Sequence, residues 1–169
     1  MAEDIVNRVS QSALITFDLE ELYPEGVRTS FDIKDWLYEG LILKEKDFRA
    51  KAQAFDWTQF QNHFVALHCS TDAIIPGWAY MLLASKLRPY TKKVVVGTQE
   101  QLETAIYQEL LLHFDFSSFE NKPVIIKGCS NKPVPQNAYI FAIEKVQNVA
   151  KSVMYGEACS AVPLFKRKQ

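Results

Sequence analysis

The chain has 169 residues, of which 48% are hydrophobic and 23% charged, a balance that excludes a disordered polymer and suffices to bury a core. A formal net charge of −1 gives no electrostatic basis for binding nucleic acid, and the one basic cluster, Lys166-Arg167-Lys168, reads as a solvated tail. No apolar run approaches the roughly 18 residues needed to span a bilayer. Glu3 and Asp4 stand where a secretory signal would be apolar. Three cysteines are an odd number, which argues against a disulfide framework and makes a reducing cytoplasm the expected location.

Residues 1–54 differ in texture from the rest. Ile15, Phe17 and Leu19 alternate with Thr16, Asp18 and Glu20, the period-two pattern of a half-buried strand. Pro24 and Gly26 mark a turn. Asp32 is placed to cap a short helix with Ile33, Trp36 and Leu37 on its apolar face, and Gly40 to end it. A second helix over 44–54 carries Phe48 and Ala52 on one side and a Glu45–Arg49 pair four residues apart. The segment reads as a covering layer with a strand at a sheet edge, within a single domain over 1–169 whose core is 55–160.

That core is duplicated. Residues 55–97 and 114–156 align with two single-residue gaps and agree at about a third of positions. Phe55, Asp56, Phe60, Asn62, Cys69, Ser70, Pro76, Ala79, Tyr80 and Gly97 meet Phe114, Asp115, Phe119, Asn121, Cys129, Ser130, Pro135, Ala138, Tyr139 and Gly156. Each copy has an apolar strand (64–67 or 124–126), a Cys-Ser loop, and a helix opened by proline. A second apolar strand (94–96 or 153–155) follows. Tyr80 and Tyr139 fall on the helix face turned toward the sheet. Between the copies, Thr98 and Gln101 form a capping box that opens a helix through His113. Strands alternating with helices imply an α/β fold with a mostly parallel sheet built from two βαβ units, the N-terminal strand and helices packed alongside.

Chemistry in such sheets gathers beyond the carboxyl ends of the strands. Cys69 and Cys129 each follow the first strand of a copy, and Cys159 comes three residues after Gly156. On one parallel sheet all three thiols share an edge. Thiolates are soft ligands, so Cys69, Cys129 and Cys159, with His68 as a candidate fourth ligand, suggest a zinc or iron–sulfur site. Two readings stand beside it. One is an enzyme with a reactive thiol, although no closing arginine or glycine-rich loop follows either Cys-Ser pair and no CxxC is present. The other is an interaction module in which the cysteines only pack.

The segments ALITFDLEELYPEG, FDIKDWLYEGLILKEKDFR, PGWAYMLLASKL, VIIKGCSNKPVP and KSVMYGEACSAVPLFKR resemble an uncharacterised bacterial family, domain of unknown function 2480, over essentially the whole chain. The resemblance implies no catalytic residues. Its members' association with iron–sulfur assembly genes implies iron–sulfur assembly proteins as partners. The expectation is therefore a cytoplasmic metal- or iron–sulfur-binding accessory protein, engaging neither nucleic acid nor membrane.

Overall fold

The computed structural model describes residues 13–128 and 131–168. In chain order the elements are β1 (Ile15–Phe17), β2 (Arg28–Asp32), α1 (Glu45–Ala54), β3 (Phe64–His68), α2 (Gly77–Leu87), β4 (Lys93–Val96), α3 (Gln99–His113), β5 (Pro123–Ile126), α4 (Gln136–Val149), β6 (Ser152–Glu157) and β7 (Ser160–Lys166). They fall into two compact units. The first comprises the chain up to Tyr23 and from Tyr107 onward; the second is Pro24–Ile106.

The α/β class and the parallel strands follow the duplication, but each copy builds its own open sheet where one shared sheet was expected. The first unit has strand order β1-β5-β6-β7, parallel except for β7; the second has β2-β3-β4, all parallel. The register repeats. Phe64–Leu67 pair with Lys93–Val96 as Pro123–Ile126 pair with Ser152–Tyr155. Asn62 and Asn121 both adopt positive φ, and their N–H groups bond to the carbonyls of Tyr90 and Val149, again matched positions. Asparagine tolerates this left-handed region better than most side chains, which explains its presence at both places. The capping box forms as expected: Thr98 N–H donates to Gln101 Oε1 at 2.8 Å, and Gln101 N–H to Thr98 Oγ1 at 3.2 Å.

The residues before 55 supply what neither copy holds alone, an edge strand for each sheet. Phe17 pairs with Ile126 in one, and Phe31 with Leu67 in the other. The two edge strands are themselves repeats, ITFDLEEL against TSFDIKDW. In each, the phenylalanine enters a nest of rings. Phe17 lies 5.2, 6.0 and 5.1 Å from Phe114, Phe116 and Phe119; Phe31 lies 5.8, 5.9 and 6.0 Å from Phe55, Trp57 and Phe60, the equivalent residues. The aspartate after each phenylalanine opens a 3-10 turn. Asp18, Asp32, Asp56 and Asp115 all accept the N–H two residues ahead, at 3.0, 3.0, 3.0 and 2.9 Å. An aspartate in extended backbone satisfies this otherwise orphaned donor.

Helices cover the sheets with matching faces. Ala79, Leu83 and Leu87 of α2 are fully buried, as are Ala138, Ala142 and Val146 of α4, at four-residue spacing. Pro76 and Pro135 stand at the N-caps, where the missing N–H costs nothing. Tyr80 and Tyr139 are half-buried against these cores, the orientation expected of both. Within the second unit, the start of α3 is tied to β2 by a shielded ion pair. Arg28 Nε reaches Glu103 Oε1 at 2.7 Å, and Arg28 Nη1 donates to the carbonyls of Pro24 and Gly26. Among the described residues no buried side-chain nitrogen or oxygen lacks a partner, which is what burial of a charge pair requires.

Replacing Phe31 by alanine is expected to lower stability by about 3–5 kcal/mol, since a ring at the centre of a cluster leaves a cavity that cannot close. Asn62→Gly is expected to change stability by less than about 0.5 kcal/mol, because glycine adopts the same φ without strain. Urea denaturation followed by tryptophan fluorescence measures both.

Candidate functional site

Beyond the carboxyl ends of β2 and β3, the second unit opens into a cleft of about 680 Å³, where an open parallel sheet is expected to bind ligands. Two segments wall it: the loop from β3 to α2, and a hairpin turn that follows the 3-10 turn after β2. Tyr38 and Ile42 pair as an antiparallel bridge, Tyr38 N–H donating to Ile42 O at 2.8 Å. Glu39 and Gly40 between them have φ of 51° and 70°, two consecutive left-handed residues as in a type I′ turn. Gly40 therefore serves the turn rather than the helix end assigned to it, since the 3-10 turn finishes at Trp36. Glycine takes such a conformation freely. A glutamate pays about 1 kcal/mol or more, a cost that surrounding structure must impose.

The turn projects apolar side chains into water. Leu41 is 57% exposed, Ile42 54%, and Ile74 on the opposite wall 91%. Trp78 of α2 forms part of the floor and stacks with the Arg49 guanidinium at 5.0 Å. The charged side chains that line the cleft are Glu45 and Asp72, both acids. Glu45 is bonded to Arg49 at 2.8 Å, the pair anticipated from their spacing.

Asp32 fixes the loop wall. Its Oδ1 accepts from the Ser70 amide at 3.1 Å as well as from Lys34, and His68 is its register partner across the sheet. Burial alone would raise the Asp32 carboxyl. The Ser70 hydroxyl, the Lys34 and Ser70 amides and the His68 ring together hold it below the ordinary value of 3.8. One residue on, Thr71 Oγ1 donates to Gly40 O at 2.8 Å and lies 3.4 Å from Cys69 Sγ. The two walls are thus stitched together by hydrogen bonds. Desolvation, and next the neighbouring Cys69, raise the Tyr80 phenol above its usual value.

In the first unit the same positions are used differently. Lys127 stands where the second unit has His68, and its Nζ donates to Asp18 Oδ2 at 2.7 Å. That hydrogen bond and the charge of Asp18 raise the Lys127 ammonium above its usual value. Asn131 N–H bonds to Glu20 Oε2 at 2.9 Å. Among the described residues the first unit has no counterpart of the Tyr38–Ile42 turn.

The metal reading does not survive. Among the described residues no group of three or more His, Cys, Asp or Glu side chains is arranged to hold an ion. This overturns the expectation of a metal- or iron–sulfur-binding accessory protein built on Cys69, Cys129 and Cys159 with His68. The physical reason is the pair of sheets, which removes the single shared strand edge on which convergence rested. Cys69 follows β3 of the second unit and packs at the margin of its core; His68 faces Asp32. Cys159 is exposed in the tight connection from β6 to β7 of the first unit, and both it and Cys69 are free thiols. Cys129 lies outside the described residues. Of the remaining histidines, His63 Nδ1 lies 2.9 Å from Thr29 Oγ1, and His113 Nδ1 lies 2.9 Å from Glu109 O. Among the described residues no helix is long and apolar enough to cross a membrane.

Residues 3–167 match the model of a family described as protein of unknown function (DUF2480), and the chain belongs to that family. No curated protein and no solved structure matches it.

Asp32 has a lowered pKa, so its contribution to stability is present above the unfolded-chain value and is lost as pH falls through the folded one. The thermal stability gap between the native chain and Asp32→Ala is expected to stay constant from pH 7 to 5 and to close below about pH 4, near the ordinary carboxyl value. A gap that persists unchanged at pH 2.5 would contradict the role given to this carboxylate.

Proposed function

We propose that the chain is a polypeptide-binding protein whose recognition site is the cleft between the Tyr38–Ile42 turn and the β3–α2 loop. The observation that carries this reading is the gathering of Leu41, Ile42 and Ile74, all more than half exposed, around one cavity. Exposed apolar clusters of this kind mark interaction sites more often than chance surface. Strain at Glu39 supports it, because a left-handed glutamate is kept only where the turn's shape is needed.

The chemistry of the lining defines the occupant. Aliphatic walls with carboxylates from Glu45 and Asp72 suit a segment carrying apolar side chains beside a lysine or arginine. Cys69 acts here through Thr71, holding the loop against the turn. Free thiols at Cys69 and Cys159 suit a reducing compartment, and the cytoplasm is the location we assign.

Peptides selected from a random displayed library against the native chain test this. The expected consensus combines Leu, Ile or Phe with Lys or Arg, and Ile74→Glu is expected to weaken binding of the selected peptide tenfold or more. Met81→Glu, an exposed apolar position of α2 outside the cleft lining, serves as the control and is expected to leave affinity unchanged. Equal binding to Ile74→Glu, or a consensus without a basic residue, would overturn the reading.

A further inference from the structure

The bases Lys166, Arg167 and Lys168 are not a loose tail. Lys166 closes β7, and the next residue continues the sheet. Arg167 N–H bonds to Lys151 O at 3.0 Å, and Lys151 N–H to Lys122 O at 2.9 Å. Lys122, Lys151 and Arg167 therefore stand at one level of three neighbouring strands, which lie about 4.8 Å apart. One step along β7, Lys166 lies opposite Ser152. With Lys168, five cations from three segments gather at the amino ends of β5 and β6, and all five are exposed.

Two of these cations are engaged. The Arg167 guanidinium donates to Asn121 Oδ1 at 3.0 Å and to Asn148 O, in the last turn of α4, at 2.9 Å. Lys122 Nζ donates to Ser118 O at 3.0 Å. Among the described residues none of Lys122, Lys151, Lys166 and Lys168 pairs with a carboxylate. Segments 120–122, 148–152 and 162–168 hold a single acid, Glu120, so the charge stays local although the whole chain sums to −1.

The outer side of β7 adds apolar surface to this charge. Val162 is 58% exposed and Leu164 52%. The register shifts opposite Val153 and Met154, so Leu164 falls in a bulge between Pro163 and Phe165. Proline offers no N–H, and proline and bulge together guard an edge against strand pairing. This edge therefore meets a partner through side chains.

We infer that this end of the first unit docks on the surface of a bilayer carrying anionic phospholipids. The lysines meet headgroup phosphates, and Val162 and Leu164 enter the acyl boundary beside them. The expectation of no membrane contact rested on the lack of an apolar span, which a surface patch does not need. A nucleic acid would meet the same charges but has no use for two aliphatic side chains. The one ring in these segments, Phe165, packs against the core and is not free to stack on bases. The patch belongs to the first unit and the cleft bounded by Leu41 and Ile74 to the second, so this inference does not rest on the peptide-binding reading.

The test sediments the full-length chain with vesicles of equal parts phosphatidylglycerol and phosphatidylcholine, and with vesicles of phosphatidylcholine alone. Binding is expected only to the anionic vesicles, and is expected to vanish at about 1 M salt, where screening is nearly complete. Joint replacement Lys151→Gln, Lys166→Gln and Lys168→Gln is expected to weaken it about a hundredfold, at about fivefold per base removed. The control Lys34→Gln, Lys46→Gln and Lys51→Gln changes the net charge equally at exposed positions of the second unit. It is expected to alter binding by less than about threefold, because charges beyond a Debye length of the surface are screened. Leu164→Ser is expected to weaken binding severalfold without altering the unbound circular dichroism spectrum. Equal binding to both vesicle types, equal effects of the two triple variants, or no effect of Leu164→Ser would each overturn the proposal. So would binding of duplex RNA, lost in the first triple variant, with none to vesicles.

Discussion

A phenylalanine followed by an aspartate organises each unit of this protein. The phenylalanine of the edge strand enters a nest of three rings, and the aspartate turns the chain by accepting the amide two residues on. The rings it meets come from a second Phe-Asp segment, 55–60 or 114–119, whose own aspartate makes the same bond. Burying such a cluster contributes several kcal/mol through area and ring geometry together. The turn chemistry aims the chain away from the sheet edge, which leaves room for the loops that follow. Without the N-terminal strands each copy would be a two-stranded βαβ fragment with a bare edge, too small to hold a core.

The interest of the duplication lies in where the units diverge. At the carboxyl edge, the first unit carries an Asp18–Lys127 ion pair, whereas the second has Asp32 beside His68 and a turn and helix inserted ahead of β3. That insertion creates the cleft. The cleft so formed is lined by apolar groups and carboxylates. At the outer edge β7 closes the first unit, whereas among the described residues β4 of the second pairs only with β3.

Much of this was legible in the residues. Alignment of 55–97 with 114–156 located four strands and two helices, and the Thr98–Gln101 and Glu45–Arg49 pairs formed as their spacing implied. The second repeat, ITFDLEEL against TSFDIKDW, escaped notice because it is eight residues long and its strand at 28–32 lacks clean alternation: Arg28 and Ser30 face the start of α3 through polar contacts instead of apolar ones. Missing β2 made one sheet look sufficient, and from one sheet came the false convergence of the cysteines. The cleft was harder still to foresee. Leu41, Ile42 and Ile74 read as core by hydrophobicity, and only the left-handed turn at Glu39 and Gly40 carries the first two outward. Four Phe-Asp dipeptides in 169 residues were the overlooked signal.

The central claim is that the cleft beyond β2 and β3 is the surface this protein uses. The most direct measurement is the map of backbone amide shifts when a library-selected peptide is titrated into the ¹⁵N-labelled chain. The account predicts the largest changes at Leu41, Ile42, Ala73 and Ile74, with smaller ones at Ser70 and Thr71, whose hydrogen bonds tie the two walls together. Shifts confined to the first unit, with the 38–45 and 70–78 segments unmoved at saturation, would contradict it.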